Sequence, residues 1–225
     1  MSQGNQDHST RLGALLASGN PLRWVFAGDS ITHGALHTMG YRDYTEHFSE
    51  RLRYELGRSR DCIIKTAVSG WSINAIAEDF EWSVSQYRPH VFSLNVGMND
   101  CTAGPEGVCA FGSAYRDVLK RLLAEKPETT LVIHTPTVIV EEPGCTRNHL
   151  ALYAEEVRKI AIEFDAILVD NAKDWKVAKE SQRLWYWLSD AFHPNEYGHR
   201  VMAHSLLKAV GLFDANSIIG RLLVP

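Results

Sequence analysis

The sequence has few of the features that mark secreted, membrane-spanning or nucleic-acid-binding proteins. Its 225 residues include only four cysteines, none of them in a C-x-x-C pair, so a disulfide framework is not expected. No stretch approaches 18 consecutive apolar residues, which excludes a transmembrane helix. Residues 1–11 are polar and lack the apolar segment of a signal peptide. The chain has no run of lysine and arginine and a net charge of −4, so no nucleic-acid surface is expected.

The cysteine content and the missing signal segment predict the cellular compartment. We expect a cytoplasmic protein whose thiols are reduced, although a secreted protein trimmed of its signal would have the same sequence. One pair leaves an alternative open, because Cys101 and Cys109 flank a short loop with glycine and proline that a disulfide could close.

Motifs of cofactor- and metal-dependent enzymes are missing as well. Neither G-x-G-x-x-G nor G-x-x-x-x-G-K-S/T follows an apolar run, so no nucleotide cofactor is predicted. His33 and His37 are four residues apart, as zinc ligands on a helix would be. Gly34 between them and the lack of a carboxylate partner motif argue against zinc. We therefore expect neither a cofactor nor a metal.

Short apolar runs that alternate with longer segments are the main pattern in the sequence. The composition, 45% apolar and 22% charged, is typical of a globular domain. We expect one domain over residues 1–225, with a polar N-terminal lead, a core at about 22–211 and an apolar tail at 212–225. Five runs have the length of a β-strand, at residues 22–27, 62–68, 91–96, 131–134 and 166–169. The segments between these runs have helical periodicity. The pattern therefore predicts βαβ units, a parallel sheet and a three-layer α/β/α sandwich.

Polar clusters follow four of the apolar runs. They are Gly28-Asp29-Ser30-Ile31-Thr32, Ser69-Gly70-Trp71-Ser72, Gly97-Met98-Asn99-Asp100 and Asp190-Ala191-Phe192-His193-Pro194-Asn195. Ligands bind to open α/β sheets at the carboxyl ends of the strands, so clusters at strand ends are expected to meet at one edge. The sequence therefore predicts a functional site at that edge.

Residues of these clusters fit nucleophilic catalysis. A serine hydroxyl such as that of Ser30 is a weak nucleophile and needs an adjacent base. Asp190 and His193 are three residues apart, so a turn can bring the carboxylate to the imidazole, orient the ring and stabilise its protonated form. Donors for an oxyanion would come from the Gly70 N–H, the Asn99 side-chain amide and the N–H of Ser30 itself.

The four clusters resemble, in the same order, the four sequence blocks of the SGNH/GDSL hydrolase superfamily, and they span most of the chain. This resemblance implies a flavodoxin-like sandwich with sheet order 2-1-3-4-5 and a metal-independent esterase or acylhydrolase. It assigns Ser30 as the nucleophile, His193 as the base and Asp190 as the residue that orients the base. It assigns Ser30, Gly70 and Asn99 to the oxyanion hole.

Further side chains within or just before the clusters are candidates for the substrate pocket. They are Trp71, Met98 and Trp187. Tryptophans most often pack in cores, so core packing is the alternative for Trp71 and Trp187. Met98 stands where many relatives have a small residue and would narrow the pocket. Asp29 and Asp100 are expected to anchor turns through backbone N–H groups.

These residues predict hydrolysis of a carboxylic ester through an acyl-enzyme on Ser30. A short acyl group such as acetyl is favoured, because no lid-like amphipathic insertion is evident. A thioesterase or lysophospholipase for longer acyl chains is one alternative, and a non-catalytic binding module on the same fold is a less favoured one. The expected partner is a small-molecule ester, without nucleic acid or an integral membrane segment, and the chain is expected to be a monomer or a homodimer.

Overall fold

A five-stranded parallel β-sheet forms the centre of the computed structural model, which describes residues 7–141 and 143–225. The strands are β1 (Arg23–Gly28), β2 (Cys62–Lys65), β3 (Val91–Asn95), β4 (Thr130–His134) and β5 (Ile167–Val169). They lie in the order β2-β1-β3-β4-β5, and every neighbouring pair is parallel. The register places Trp24 opposite Ile63 on one side and Val91 on the other. The predicted fold class and sheet order are confirmed.

Helices connect the strands and flank the sheet. In chain order they are α1 (His8–Ala17), α2 (Ser30–His33), α3 (Tyr44–Glu50), α4 (Ile73–Glu78), α5 (Phe80–Ser83), α6 (Val108–Glu125), α7 (Leu150–Glu163), α8 (Asn171–Glu180), α9 (Leu184–Trp187) and α10 (Glu196–Ala209). A π-helical turn, Arg51–Glu55, extends α3. Helix α6 packs against α4 and α7, whereas α10 packs against α3 and α8. The helices thus form two packed groups around the sheet.

Burial explains why the central strands correspond to apolar runs in the sequence. Every residue of β3 and β4 is buried, as expected of parallel strands that are covered on both faces. Edge strand β2 is exposed at both ends and stops at Lys65, short of the predicted residue 68. The pairing continues beyond it nonetheless, because the N–H groups of Thr66 and Val68 donate to Phe26 O and Gly28 O at 2.9 and 3.1 Å.

Both terminal segments contribute to the apolar core. Within the polar lead, α1 buries Leu12, and the tail buries Ile219, each to 2% exposure. Helix α1 is tied to the sheet because His8 Nδ1 accepts from the N–H of Leu131 at 3.1 Å. In the tail, the carboxylate of Glu55 accepts from two backbone N–H groups, at 2.8 and 3.2 Å. Both segments therefore add buried side chains to the apolar core.

The four cysteines are unbonded in this structure. Cys101 is buried and its Sγ donates to Met98 O at 3.2 Å, whereas Cys109 is exposed on α6. The disulfide that the sequence left open is therefore not formed. Within residues 7–141 and 143–225, none of the helices combines the length and the apolarity that a membrane span requires.

Candidate active site

Ser30 lies at the carboxyl end of β1, in the turn that leads into α2. The strand ends at Gly28, where a Cβ would lie 2.6 Å from the backbone oxygen of Asn95, so only glycine lets β1 and β3 approach here. Asp29 caps α2, because its Oδ1 accepts from the N–H of Ile31 at 3.0 Å. Ser30 is therefore the first residue of a short helix, and its N–H has no acceptor within that helix.

The hydroxyl of Ser30 contacts the imidazole of His193, which in turn contacts Asp190. The distance from Ser30 Oγ to His193 Nε2 is 2.9 Å, and that from His193 Nδ1 to Asp190 Oδ2 is 2.7 Å. The other carboxylate oxygen, Oδ1, accepts from the N–H groups of Phe192 and His193 at 2.9 and 2.8 Å. One turn of chain thus fixes both the carboxylate and the ring, as their spacing in the sequence indicated.

The surroundings of His193 favour its neutral form. Burial lowers the pKa of the imidazole, and Asp190 opposes this effect without cancelling it. Although burial alone would raise the pKa of Asp190, hydrogen bonds from the Phe192 and His193 N–H groups keep it below its usual value. At neutral pH the pair is therefore a carboxylate and a neutral imidazole, the state that can accept a proton from a hydroxyl.

The two other predicted oxyanion donors lie on the neighbouring loops. Gly70 has a φ of +86°, in the left-handed region that favours glycine, and it is exposed. Within the described part of the chain, its N–H does not donate to another backbone group. The Nδ2 group of Asn99 donates one hydrogen to Trp71 O at 2.8 Å, which leaves its second N–H for another acceptor.

Asp29 and Asp100 are buried carboxyl groups with backbone partners. Asp100 Oδ1 accepts from the N–H of Ile73 at 2.9 Å, which holds the start of α4 beside the Gly70 loop. Burial raises the pKa of Asp100, and it raises that of Asp29 to about 7. These contacts match the anchoring roles expected from the sequence.

The pocket candidates differ in where their side chains lie. Trp71 is half-buried and packs edge-on against Trp82, with ring centroids 5.8 Å apart. Met98 is 1% exposed and belongs to the apolar core. Trp187 packs on Trp175 at 5.4 Å, and its Nε1 donates to the backbone oxygen of the last residue at 3.1 Å. Met98 thus packs in the apolar core and half-buried Trp187 packs against Trp175, whereas Trp71 O contacts the predicted oxyanion residue Asn99. A role of these side chains in a substrate pocket stays a prediction.

Two residues that the sequence did not assign to this site contact the group. His37 stacks on His193 with ring centroids 3.4 Å apart and planes inclined by 6°, and its Nδ1 is 3.7 Å from Asp190 Oδ2. Arg147 donates from Nε to Met98 O at 3.1 Å. Both residues lie on irregular loops, where periodicity gives no signal. The sequence signal that could have found His37 was its position shortly after Ser30 in the chain.

His37, Asp190 and His193 are the described residues whose side chains come closest to a metal site, since their ligand atoms lie within 4.8 Å of one another. The two imidazole planes are almost parallel, so nitrogen lone pairs in these planes do not converge on one ion. Asp190 Oδ2 also already accepts from His193. The arrangement fits a hydrogen-bonded base better than a metal centre.

A second serine–histidine contact lies inside the sheet. Ser93 Oγ and His134 Nε2 are 2.9 Å apart, and both residues are at most 2% exposed. Burial lowers the pKa of His134 to about 3. Its Nδ1 faces the amide of Asn171 at 3.5 Å rather than a carboxylate. This pair is closed to solvent and is a structural link between β3 and β4.

Comparison with known proteins finds a matching family and solved structures of similar fold. The model of the GDSL-like lipase/acylhydrolase family matches residues 26–201. A GDSL-like lipase structure from Parabacteroides merdae has a TM-score of 0.76 at 24% identity, over 86% of this chain and 97% of that one. A catalytic mutant of Axe2, an acetylxylan esterase from Geobacillus stearothermophilus, has a TM-score of 0.73 at 20% identity, over 86% and 95%. An uncharacterized protein of Mycoplasma pneumoniae is 26% identical over 132 residues, which are 57% of this chain and 15% of that protein.

A parallel sheet that carries a hydroxyl, an imidazole and a carboxylate in hydrogen-bond contact at its carboxyl edge defines a hydrolase. The family match covers most of the chain, and the chain belongs to the GDSL-like lipase/acylhydrolase family. Membership in this family supports ester hydrolysis as the class of reaction.

Proposed function

We propose that this protein hydrolyses carboxylic esters through an acyl-enzyme on Ser30, with short acyl groups preferred. The observation that carries the proposal is the continuous chain of contacts from Ser30 Oγ through His193 to Asp190, at 2.9 and 2.7 Å. A hydroxyl, a base and a residue that orients the base are the parts that nucleophilic catalysis by serine needs.

In the acylation half, His193 Nε2 removes the proton of Ser30 as Oγ forms a bond to the ester carbonyl carbon. The carbonyl π electrons move to oxygen, and the resulting oxyanion accepts hydrogen bonds from the Ser30 N–H, the Gly70 N–H and the free N–H of Asn99. Collapse of this intermediate breaks the bond to the alcohol oxygen, which takes the proton from His193. Asp190 stabilises the imidazolium throughout.

In the deacylation half, His193 removes a proton from water as its oxygen attacks the acyl carbon. A second oxyanion forms in the same site, and its collapse breaks the bond to Ser30 Oγ, which regains a proton from His193. The products are the carboxylic acid and free enzyme, so no proton is gained or lost by the protein over the cycle.

Two observations support a short acyl group. The Asp190 side chain is 42% exposed and Gly70 lies at the surface, so the edge of the sheet is open to solvent at the site. The similar Axe2 structure is that of an acetylxylan esterase. Rates on p-nitrophenyl acetate, octanoate and decanoate, together with acetate release from acetylated sugars, test this part. Faster turnover of decanoate than of acetate would instead favour a lysophospholipase or thioesterase.

The nucleophile and base are tested with p-nitrophenyl acetate. Ser30→Ala and His193→Ala are each expected to lower kcat by several orders of magnitude, because removing either member disables proton transfer and attack together. Ser113→Ala, at an exposed position of α6, is the matched control and should retain the wild-type rate. Wild-type turnover in either active-site variant would contradict the proposal.

A fluorophosphonate probe separates the enzyme from a binding module on the same fold. The probe forms a covalent bond only with an activated serine, so we expect labelling of the wild-type protein and none of Ser30→Ala. A wild-type protein that stays unlabelled would favour the binding module.

A further inference from the structure

Arg147 connects two loops of the candidate active site. It lies between β4 and α7 and is half-buried. Its Nε donates to Met98 O at 3.1 Å and its Nη2 donates to Asn99 Oδ1 at 3.4 Å. Its guanidinium carbon lies 4.1 Å from the centroid of the Phe192 ring. One side chain thus contacts the loop that carries Asn99 and the loop that carries His193.

The contact with Asn99 determines which way its carboxamide faces. The two ends of a carboxamide are similar in size and opposite in hydrogen-bonding character. Trp71 O accepts from Nδ2 at 2.8 Å, and Arg147 donates to Oδ1, so both partners select the same orientation. In the flipped orientation, Arg147 would face an N–H group and Trp71 O would face an oxygen. The selected orientation leaves one Nδ2 hydrogen for the substrate.

The guanidinium also places a fixed positive charge beside the oxygen of this amide. A charged donor on the amide oxygen polarises the amide and strengthens its remaining N–H as a donor. The face of Phe192 restricts where the guanidinium can move, as aromatic faces attract cations. Lysine would keep the charge, but its single ammonium lacks the planar geometry that serves Met98 O, Asn99 Oδ1 and the ring together.

From these contacts we propose that Arg147 is a positioning residue of the oxyanion hole, which fixes and polarises the Asn99 amide so that it binds the developing oxyanion. The inference rests on the proposed function. It assigns to Arg147 an effect on the transition state that acts through Asn99 and not through contact with the substrate.

The test is a double-mutant cycle with p-nitrophenyl acetate as the substrate. Removal of one oxyanion donor lowers turnover by about 10²–10³, which is the expected effect of Asn99→Ala. Arg147→Ala should lower kcat by about 10- to 100-fold with little change in KM, because the orienting contact, and not the donor, is lost. In the Asn99→Ala background, Arg147→Ala should have almost no further effect. Arg147→Lys should resemble the alanine variant.

Rescue of kcat by added guanidinium ion is an effect that a purely structural role of Arg147 would not produce. The ion should raise kcat of Arg147→Ala several-fold and leave Arg147→Ala/Asn99→Ala and the exposed control Arg60→Ala unchanged. Arg147→Gln, with far-UV circular dichroism and thermal unfolding of each variant, serves as a second variant should the alanine variant fold poorly.

Three outcomes would overturn the inference. The first is wild-type kcat in Arg147→Ala or Arg147→Gln with the native fold intact. The second is a double variant in which the fold-losses of kcat caused by Arg147→Ala and Asn99→Ala multiply. The third is a wild-type protein that neither turns over the ester nor reacts with fluorophosphonate, which overturns the proposed function as well. The first two outcomes leave the proposed function standing.

Discussion

The carboxyl group of Asp29 lies next to the candidate nucleophile and is 1% exposed. Burial raises its pKa to about 7, the hydrogen bond from the Ile31 N–H opposes this, and the nearby Asp100 adds to the rise. In the unfolded chain the group titrates near 3.8. Between these two values the folded protein holds a proton that the unfolded chain has lost, so the free energy of unfolding falls as the pH rises.

The magnitude follows from the pKa values. Each pH unit in this window corresponds to 1.36 kcal/mol, so the two units between pH 5 and pH 7 amount to about 3 kcal/mol. Asp29→Asn keeps the shape of the side chain and an oxygen that can accept from Ile31, but it removes the ionisation. We therefore expect the free energy of unfolding of the variant to rise by about 3 kcal/mol relative to that of the wild type when the pH is raised from 5 to 8.

Urea unfolding of both proteins at pH 5 and at pH 8, followed by tryptophan fluorescence, measures this difference. Asp117→Asn, at an exposed position of α6, is the matched control and should track the wild type at both pH values. A stability difference between Asp29→Asn and the wild type that is the same at pH 5 and at pH 8 would refute the reasoning. Such a result would show that the buried carboxyl does not titrate in this range.

Three further predictions concern the base, its neighbour and the N-cap of α3. Because burial lowers the pKa of His193, the acid limb of a pH profile of kcat/KM should have its midpoint below 6.5, and a midpoint above 7 would contradict this. His37→Phe keeps a flat ring against His193 and removes the electrostatic effect by which His37 lowers the pKa of that base, so the same midpoint should move to higher pH. Asp43 caps α3 and pairs with Lys65 at 2% exposure. Because the cap is lost while the exposed Lys65 ammonium stays solvated, Asp43→Ala should lower the free energy of urea unfolding by about 1–2 kcal/mol. Asp79→Ala, at an exposed N-cap without a side-chain bond, should change it by about 0.5 kcal/mol or less.

The sheet was predictable because its central strands are covered on both faces. Such strands must be apolar at nearly every position, and the runs at β1, β3 and β4 stand out for that reason. The edge strands gave weaker signals, and the predicted end of β2 was three residues too late. Helix α1 was missed because it buries only His8 and Leu12. A polar tie to the domain is Arg11 Nη1, which donates to two carbonyl oxygens at 3.0 Å, 116 and 118 residues away.

The contacts among Ser30, Asp190 and His193 were predictable because strand ends meet at one edge and because three residues of separation suit a turn. Arg147 and His37 were not, since their partners are distant in sequence and no periodic pattern links them. The spacing of His33 and His37 suggested a pair, yet the structure separates them. The Nδ1 atom of His33 contacts Ser69 Oγ at 3.0 Å, whereas His37 stacks on His193.

The separation of 163 positions between Ser30 and His193 in the sequence has a consequence for protein synthesis. A ribosome completes all five strands when it reaches Val169, the last residue of β5, but His193 is added 24 residues later. A nascent chain can therefore contain every strand of the sheet while its serine hydroxyl still lacks a base. If Ser30 and His193 act as proposed, reactivity toward esters and phosphonylating agents would begin only when His193 has left the ribosomal tunnel and docked against Ser30.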